Sequence, residues 1–473
     1  MAKQNFSPKV RAERWLCHMK EKVYTFTLPE SLVNKLLDIS HEKNISKAIL
    51  DGIAYALADL HGSHLDSFSL HQLLTIDKRR QTKPYSVRYD ETLERVLGYY
   101  KLDGLTNSNI VTFLLANYLL TYVSIKDQEK QNNFLSVPKD YKSNQDLHLL
   151  RIMGSKWNRV MQDAIQHILD TTDKHWNTSI DVCAGALGIF SNFSFAKNEI
   201  INDIDLRKIN TYKGIQKDFQ KITLAMYALL PDKETFDTLK KELEKTDKQL
   251  LASCGKKIII PGIVFYLYLN LLSARNARTT YDKKNDETYR NYWKAIPLLH
   301  ETLKETKIYN MDILELIEKN KNAQNTIFIV DPPYLNTNVY KNDILTLQNK
   351  EFGYKEHVKL AKLLRQITKE GKNNDFIYFC RITATRKKDQ KTKEITNRAN
   401  LPAEDRHMEG MIDDLYWGYG FYYIDIPYGT DGTIERIITS FKFNKAKEYE
   451  KREEDGNGNQ EEDVNGKRGE DVK

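Results

Sequence analysis

The sequence predicts an α/β protein: a mostly parallel sheet carrying a helical insertion, preceded by a mainly helical amino-terminal module. Three features carry that expectation. Thr326 to Val330 is a short apolar run that ends in Asp331-Pro332-Pro333-Tyr334, the pattern of a buried strand delivering a loop to a pocket. Ser179 to Asn192 is a second short strand running into a turn with Gly185 and Gly188, followed by Glu199 to Asp205, a strand ended in acid. The third is a repeat within the first 125 residues.

The repeat comes first in the chain. Val23 to Leu32 alternates like a strand and then turns helical, and Pro84 to Leu93 does the same 61 positions later. Each copy continues into an apolar-periodic helix, a break at Asn44 or Gly104, and a second helix. Ser46 and Thr106 stand where the second helices are expected to be capped. Those helices, Lys47 to Leu60 and Asn107 to Val123, are apolar on most faces, as helices buried in a shared core should be. The unit resembles the ribbon-helix-helix DNA-binding fold, in which two copies pair their strands into a ribbon that enters the major groove. Alternation turns Tyr24, Phe26 and Leu28 inward and Thr25 and Thr27 outward, with Ser86 and Arg88 as their counterparts. The outward four are candidates for base edges, and Ser46 and Thr106 for phosphates.

Residues 22–62 and 83–124 form this tandem module within 1–125, and the polar stretch 126–148 reads as a linker. Residues 149–445 then form the α/β domain, with an insertion at 215–305 that opens with helical segments such as Thr235 to Leu251. From 446 to 473 the chain is rich in Glu, Asp, Lys, Gly and Asn and is expected to be disordered.

Composition fits this plan. A chain of 473 residues can hold two or three domains, and 40% hydrophobic with 29% charged residues is ordinary for globular protein. A net charge of +7 permits a polyanionic partner without requiring one. Cysteines 17, 183, 254 and 380 lack paired spacing, so neither a disulfide framework nor a metal site is indicated. No apolar secretion segment or membrane-length run is evident, which makes the cytoplasm the expected compartment.

The chemistry that needs Asp331 to Tyr334 is methylation of an exocyclic amine. Such an amine is a poor nucleophile because its lone pair is delocalised into the ring. A carboxylate (Asp331) and a carbonyl (that of Pro332) can accept its two hydrogens and draw the nitrogen toward tetrahedral geometry. Two prolines fix the turn and withhold backbone donors. Tyr334 offers a flat face to an extruded base. Gly185 and Gly188 let backbone approach a nucleoside cofactor, and Asp203, about twenty residues on, suits ribose hydroxyls. This order of motifs favours S-adenosyl-L-methionine.

The region from Leu149 to Phe443, about three-fifths of the chain, resembles the Dam-type family of DNA adenine-N6 methyltransferases. Met153 to Trp157 resembles the family's amino-terminal lysine segment, which implies that Lys156 and Trp157 help to hold the cofactor. Asp181 to Phe190 resembles its cofactor loop, which assigns Asp181, Ala184, Gly185 and Gly188 to that role. Asn202-Asp203 resembles the ribose-binding acid and Asn310-Met311-Asp312 the acidic segment before the catalytic strand, which assigns Asp203, Asp312 and Asp331 to the cofactor. Asp331 to Tyr334 matches the catalytic motif in full. Phe352 to Leu364, with Glu356-His357, resembles the following helix, and Glu435 to Thr439 the closing strand. Two departures stand out: Val182-Cys183 replaces the family's usual Pro-Phe, and Leu187 stands where a second glycine is expected.

The resemblance places a target-recognition region in the insertion. There Arg275, Arg278, Lys283, Lys284 and Arg290 suit phosphates and guanine edges, and Asn276 suits adenine. It implies transfer of a methyl group from S-adenosyl-L-methionine to N6 of an adenine flipped out of double-stranded DNA. A cognate restriction endonuclease is a candidate partner, and a monomer or weak dimer the expected state. Two alternatives stand beside this reading. One is a methyltransferase acting on RNA or protein, although protein-amide enzymes more often carry Asn than Asp at the first motif position. The other is a DNA-binding regulator whose methyltransferase domain is inactive, which the altered glycine loop favours and the intact Asp331 to Tyr334 motif opposes.

Overall fold

The computed structural model describes residues 22–40, 42–59, 82–100, 106–131, 149–150, 156–273, 280–286, 289, 292–335, 352–370, 373–382, 411–428 and 433–449. The amino-terminal repeat folds as two strand-helix-helix halves. Strand β1 (Lys22–Pro29) leads into α1 (Glu30–Ser40) and α2 (Ile45–Asp59); β2 (Thr82–Tyr89) leads into α3 (Glu91–Tyr99) and α4 (Asn107–Gln131). β1 and β2 pair antiparallel, with Thr25 opposite Ser86 and Val23 opposite Arg88. Phe26, Leu28, Val87 and Tyr89 are buried beneath the ribbon. Thr25, Thr27, Ser86 and Arg88 are exposed, as period-two alternation requires.

Two details differ from expectation. Asn44, not Ser46, caps α2, its side-chain oxygen accepting from Lys47 N at 3.2 Å. Ser46 Oγ instead accepts the backbone N–H of Arg88 at 3.3 Å, and Ser108 Oγ accepts that of Thr27 at 3.0 Å. Each half thus clamps the other half's strand. Thr106 does cap α4, accepting from Asn109 N at 3.2 Å. That helix continues to Gln131, into the stretch read as linker, because nothing in its polar sequence breaks a helix already nucleated by a buried first half.

The second unit is an eight-stranded sheet in the order β10-β8-β9-β7-β6-β3-β4-β5. Its strands are β3 (Trp176–Asp181), β4 (Ala196–Asn202), β5 (Lys307–Tyr309), β6 (Thr326–Val330), β7 (Asp375–Arg381), β8 (Tyr422–Tyr428), β9 (Thr433–Thr439) and β10 (Lys447–Glu448). The pairs linking β5, β4, β3, β6 and β7 are parallel; β9, β8 and β10 add antiparallel. Phe328, Val330, Phe376 and Tyr378 pack under α10 (Ile313–Lys319) and α11 (Tyr354–Glu370). Ile327, Ile329, Ile377 and Phe379 face the opposite way, against α5 (Arg159–Asp170). Strands covered on both faces read as continuous apolar runs, which is why β6 was visible in the sequence.

The chain expected to be disordered from 446 is ordered through Tyr449. Lys447 and Glu448 pair with Tyr423 and Tyr422, and buried Tyr449 packs 4.5 Å from Tyr423. Its hydroxyl and the Asp413 and Asp425 carboxylates surround fully buried Arg436.

The insertion is a helical layer: α6 (Leu206–Ala228), α7 (Lys233–Ala252), α8 (Ile260–Leu272) and α9 (Ala295–Leu303). Its apolar side chains and those of the amino-terminal module form one continuous core. Tyr55 packs 5.2 Å from Phe219 and its hydroxyl donates to Glu301. Tyr99 donates to Ala228 O at 3.1 Å, and Tyr227 donates to Tyr100 at 2.7 Å. The module is therefore packed onto the helical layer of the second unit. No helix among the described residues is long and apolar enough to cross a membrane.

Candidate active site

Strand β3 lies between β4 and β6, and the chain that runs outward through β4 and β5 returns to the other side of β3 as β6. This is a topological switch point, where loops leaving the carboxyl ends diverge and open a crevice. Register sets Asp181 beside Ile201 on one side and Ile329 on the other. Asp181, Asp203 and Asp331 consequently leave neighbouring strands on one rim.

The Asp331 side is built around a buried lysine. Lys156 Nζ donates to both Asp331 oxygens at 2.8 Å and to the Tyr334 hydroxyl at 2.8 Å. Tyr334 in turn donates to Glu435 Oε2 at 3.1 Å, and Glu435 lies 3.8 Å from the ammonium. Burial pushes the Asp331 carboxyl up and the Lys156 charge pulls it back down; Glu435 is pushed up by burial and, more weakly, by Asp331. Lys156 also sits 5.2 Å from the Tyr334 ring centroid, and the Arg381 guanidinium 5.6 Å. Tyr334 is 8% exposed.

His357, on α11, fixes the loop from behind. Its Nε2 is 3.0 Å from the Pro333 carbonyl and its Nδ1 3.0 Å from the Tyr378 hydroxyl. A carbonyl only accepts, so Nε2 carries the proton and Nδ1 accepts from tyrosine. Burial pushes the imidazole down to about 4, keeping it neutral. The Pro333 carbonyl is thereby held by His357.

The cofactor-loop side shows how the departures are accommodated. Gly185 has φ +51° and Leu187, in the expected glycine's place, has φ +60°. Here a buried leucine adopts the left-handed conformation itself, at a cost of about 1 kcal/mol. Gly188 has a steric role in the turn. A Cβ there would lie 3.1 Å from the Lys156 backbone N and C, so this glycine admits the lysine segment. Trp157 Nε1 donates to Ala186 O at 3.2 Å, and Gln162 Nε2 reaches both Lys156 O and Gly188 O. Lys156 points to Asp331 and Tyr334 for the same reason: its backbone is stapled to this loop. Ala184 is buried, its N–H given to Asn202 O at 2.8 Å.

Asp203 accepts from Gly185 N and Asp205 N, each at 2.9 Å, and from Lys208 at 3.2 Å. Asp312, expected at the cofactor, caps α10 through Leu314 N at 2.9 Å. Asn310, beside it, donates to Asp203 O at 2.7 Å and ties that loop to the rim. Asp181 is 4% exposed, and burial together with the Asp331 charge pushes its carboxyl up. Its Oδ1 is buried with no hydrogen-bond partner among the described residues.

Of the residues expected to touch nucleic acid in the insertion, Lys283 and Lys284 are exposed on a short helical turn. Arg275, Asn276, Arg278 and Arg290 lie outside the described residues. Glu435 and His357 were not among the expected site residues. A signal for Glu435 was present: a charge amid Ile434, Ile437 and Ile438 on a strand paired on both sides needs a partner.

No curated protein is similar enough to the chain to register as a match. The model of one family does match, that of the D12 class N6 adenine-specific DNA methyltransferases, over residues 153–409. The match takes in the lysine segment, the glycine turn, Asp203 and the whole of Asp331 to Tyr334, and spans more than half of the chain. With Asp331 to Tyr334 at the switch point of a sheet of this topology, the chain belongs to the D12 class of N6 adenine-specific DNA methyltransferases.

Proposed function

We propose that the protein methylates N6 of an adenine flipped out of double-stranded DNA, with S-adenosyl-L-methionine as donor. The observation that carries the reading is the convergence of Asp331, Pro332 and Tyr334 with Asp181 and Asp203 on one rim. The residues present suit the donor. Asp181 Oδ1, buried without a partner among the described residues, is an acceptor waiting for a cationic or N–H group, such as the ammonium of the donor's amino-acid arm. Asp203, held beside Gly185, is the acid for ribose hydroxyls. When bound, S-adenosyl-L-methionine supplies an electrophilic methyl group.

The protein's own part is alignment and electrostatics. Asp331 and the Pro332 carbonyl accept the two amine hydrogens and turn the nitrogen lone pair toward the methyl. Flipping is needed because the amine cannot meet the methyl inside the helix. Tyr334 is buried, so a base stacks on it only after a neighbouring group moves aside.

We assign the amino-terminal pair to DNA reading as a single-chain ribbon-helix-helix-like module. Its support is the exposed polar face of an antiparallel ribbon, with Thr25 Oγ1 3.5 Å from Ser86 Oγ and Arg88 alongside. Ser46 Oγ accepts the Arg88 backbone N–H, and its own O–H remains a donor for a phosphate.

The test is incubation of unmethylated DNA with protein and S-adenosyl-L-methionine, followed by mass spectrometry of the nucleosides. N6-methyladenine is the expected product, and its disappearance with Asp331→Ala ties it to this site. Donor binding with no methylated base turns the substrate to RNA or protein. Failure to bind the donor leaves the regulator reading.

A further inference from the structure

The Lys156 ammonium occupies both Asp331 oxygens, the same atoms that must receive the target amine. Lys156 is 3% exposed, so its charge cannot retreat to solvent. On its other side lies a second carboxylate that the reaction as described does not use. Glu435, 2% exposed, stands 3.8 Å from the ammonium and is joined to it through the Tyr334 hydroxyl. A lysine thus sits between a catalytic acid and a spare one, and a shift of about 1 Å brings it into full contact with the spare.

We propose that Glu435 is a positioning residue that takes the Lys156 ammonium from Asp331 when the target amine arrives, leaving Asp331 an unshared carboxylate. The inference rests on the methyl-transfer reading of Asp331. In the step, nitrogen bonds to the methyl carbon as the carbon–sulfur bond breaks and its electron pair stays on sulfur. The surplus proton on nitrogen passes to Asp331. A carboxylate gripped at both oxygens by an ammonium is a poor acceptor for that proton, and one relieved of it is a better one.

The charges around the cluster agree. Burial pushes the carboxyls of Asp331 and Glu435 up, and Lys156 pulls each of them down, so the two acids compete for one cation. Other titratable groups that feel the pair are Arg381, Cys380 and Tyr378 from β7, Asp181 from β3 and Cys183 just beyond it. Arg381 favours the charged form of Glu435, whereas Asp181 and Asp331 repel each other.

The test begins with Glu435→Gln, which keeps the shape and an acceptor for Tyr334 but removes the charge. We expect the single-turnover methyl-transfer rate to fall by about tenfold or more with DNA affinity unchanged. The acidic limb of its pH profile moves to lower pH, because Asp331 alone with Lys156 is the weaker base. Glu435→Asp, which restores the charge, recovers part of the rate. A purely structural Glu435 would leave that limb where it is.

A measurement on wild-type protein without ligands guards against a variant that does not fold. With carbon-13 in the Asp and Glu carboxyls, the Asp331 and Glu435 resonances are expected to titrate as a coupled pair, each showing both steps. Independent titrations, or a wild-type pH profile in Glu435→Gln, overturn the proposal while methylation stands. Absence of N6-methyladenine from the wild-type reaction fails the methyl-transfer reading, and the proposal falls with it.

Discussion

His357 offers the sharpest quantitative test of the site's geometry. It is buried, donates to the Pro333 carbonyl and accepts from Tyr378, and burial holds it at about 4 against the usual 6.5. Unfolded chains take up a proton on this imidazole near 6.5, the folded protein only near 4. Between those values the unfolded state binds more protons, so stability rises with pH and is lost as pH falls toward 4, and above 6.5 the residue adds no pH dependence. The shift corresponds to about 3 kcal/mol lost by pH 4 and about 2 kcal/mol by pH 5. His357→Gln keeps an N–H donor for Pro333 and has no titration. It should lie within about 1 kcal/mol of wild type at pH 7.5 and lose about 2 kcal/mol less on acidification to pH 5. Urea unfolding of both proteins at the two pH values reads this directly. Parallel losses would refute the neutral, doubly bonded imidazole. His357→Leu orphans the Pro333 carbonyl and the Tyr378 hydroxyl at about 1–3 kcal/mol each. It should slow methyl transfer as well, since the motif turn loses its brace.

Three further outcomes are expected. Asp331→Ala abolishes methyl transfer while circular dichroism stays native, because Lys156 retains Glu435 as counter-charge; retained N6-methyladenine would remove the mechanism. Gly188→Ala drives a Cβ into the Lys156 backbone, costs about 1–3 kcal/mol by denaturant unfolding and lowers the transfer rate; a neutral result would mean the lysine segment yields freely. Arg88→Ala weakens DNA binding and lowers the salt dependence by about one counterion while leaving donor binding unchanged; equal affinities at every salt concentration would exclude the ribbon from DNA. A point variant is the right probe here, because removing the module would strip α6 and α9 of the core they share with it.

The sequence by itself determined whatever is carried by neighbours in the chain. The apolar run of β6, buried on both faces, announced its own strand, and Asp331 to Tyr334 is a contiguous motif whose chemistry follows from four adjacent residues. The repeat was legible because alternation switching to helical periodicity recurs at a fixed interval, and the two strands do pair. Tertiary structure decided what depends on residues far apart. Lys156 meets Asp331 across 175 positions and Tyr334 meets Glu435 across 101, so no local pattern records that a lysine lies between two acids. Leu187 stands where a glycine was expected, and only the fold shows that its backbone takes the left-handed conformation glycine favours. Asp312 is also a helix cap, through Oδ1 alone, a second role that local sequence does not reveal. The joint core of the module and the insertion is likewise invisible beforehand: apolar periodicity says that a face must be covered, and only the folded chain says by what.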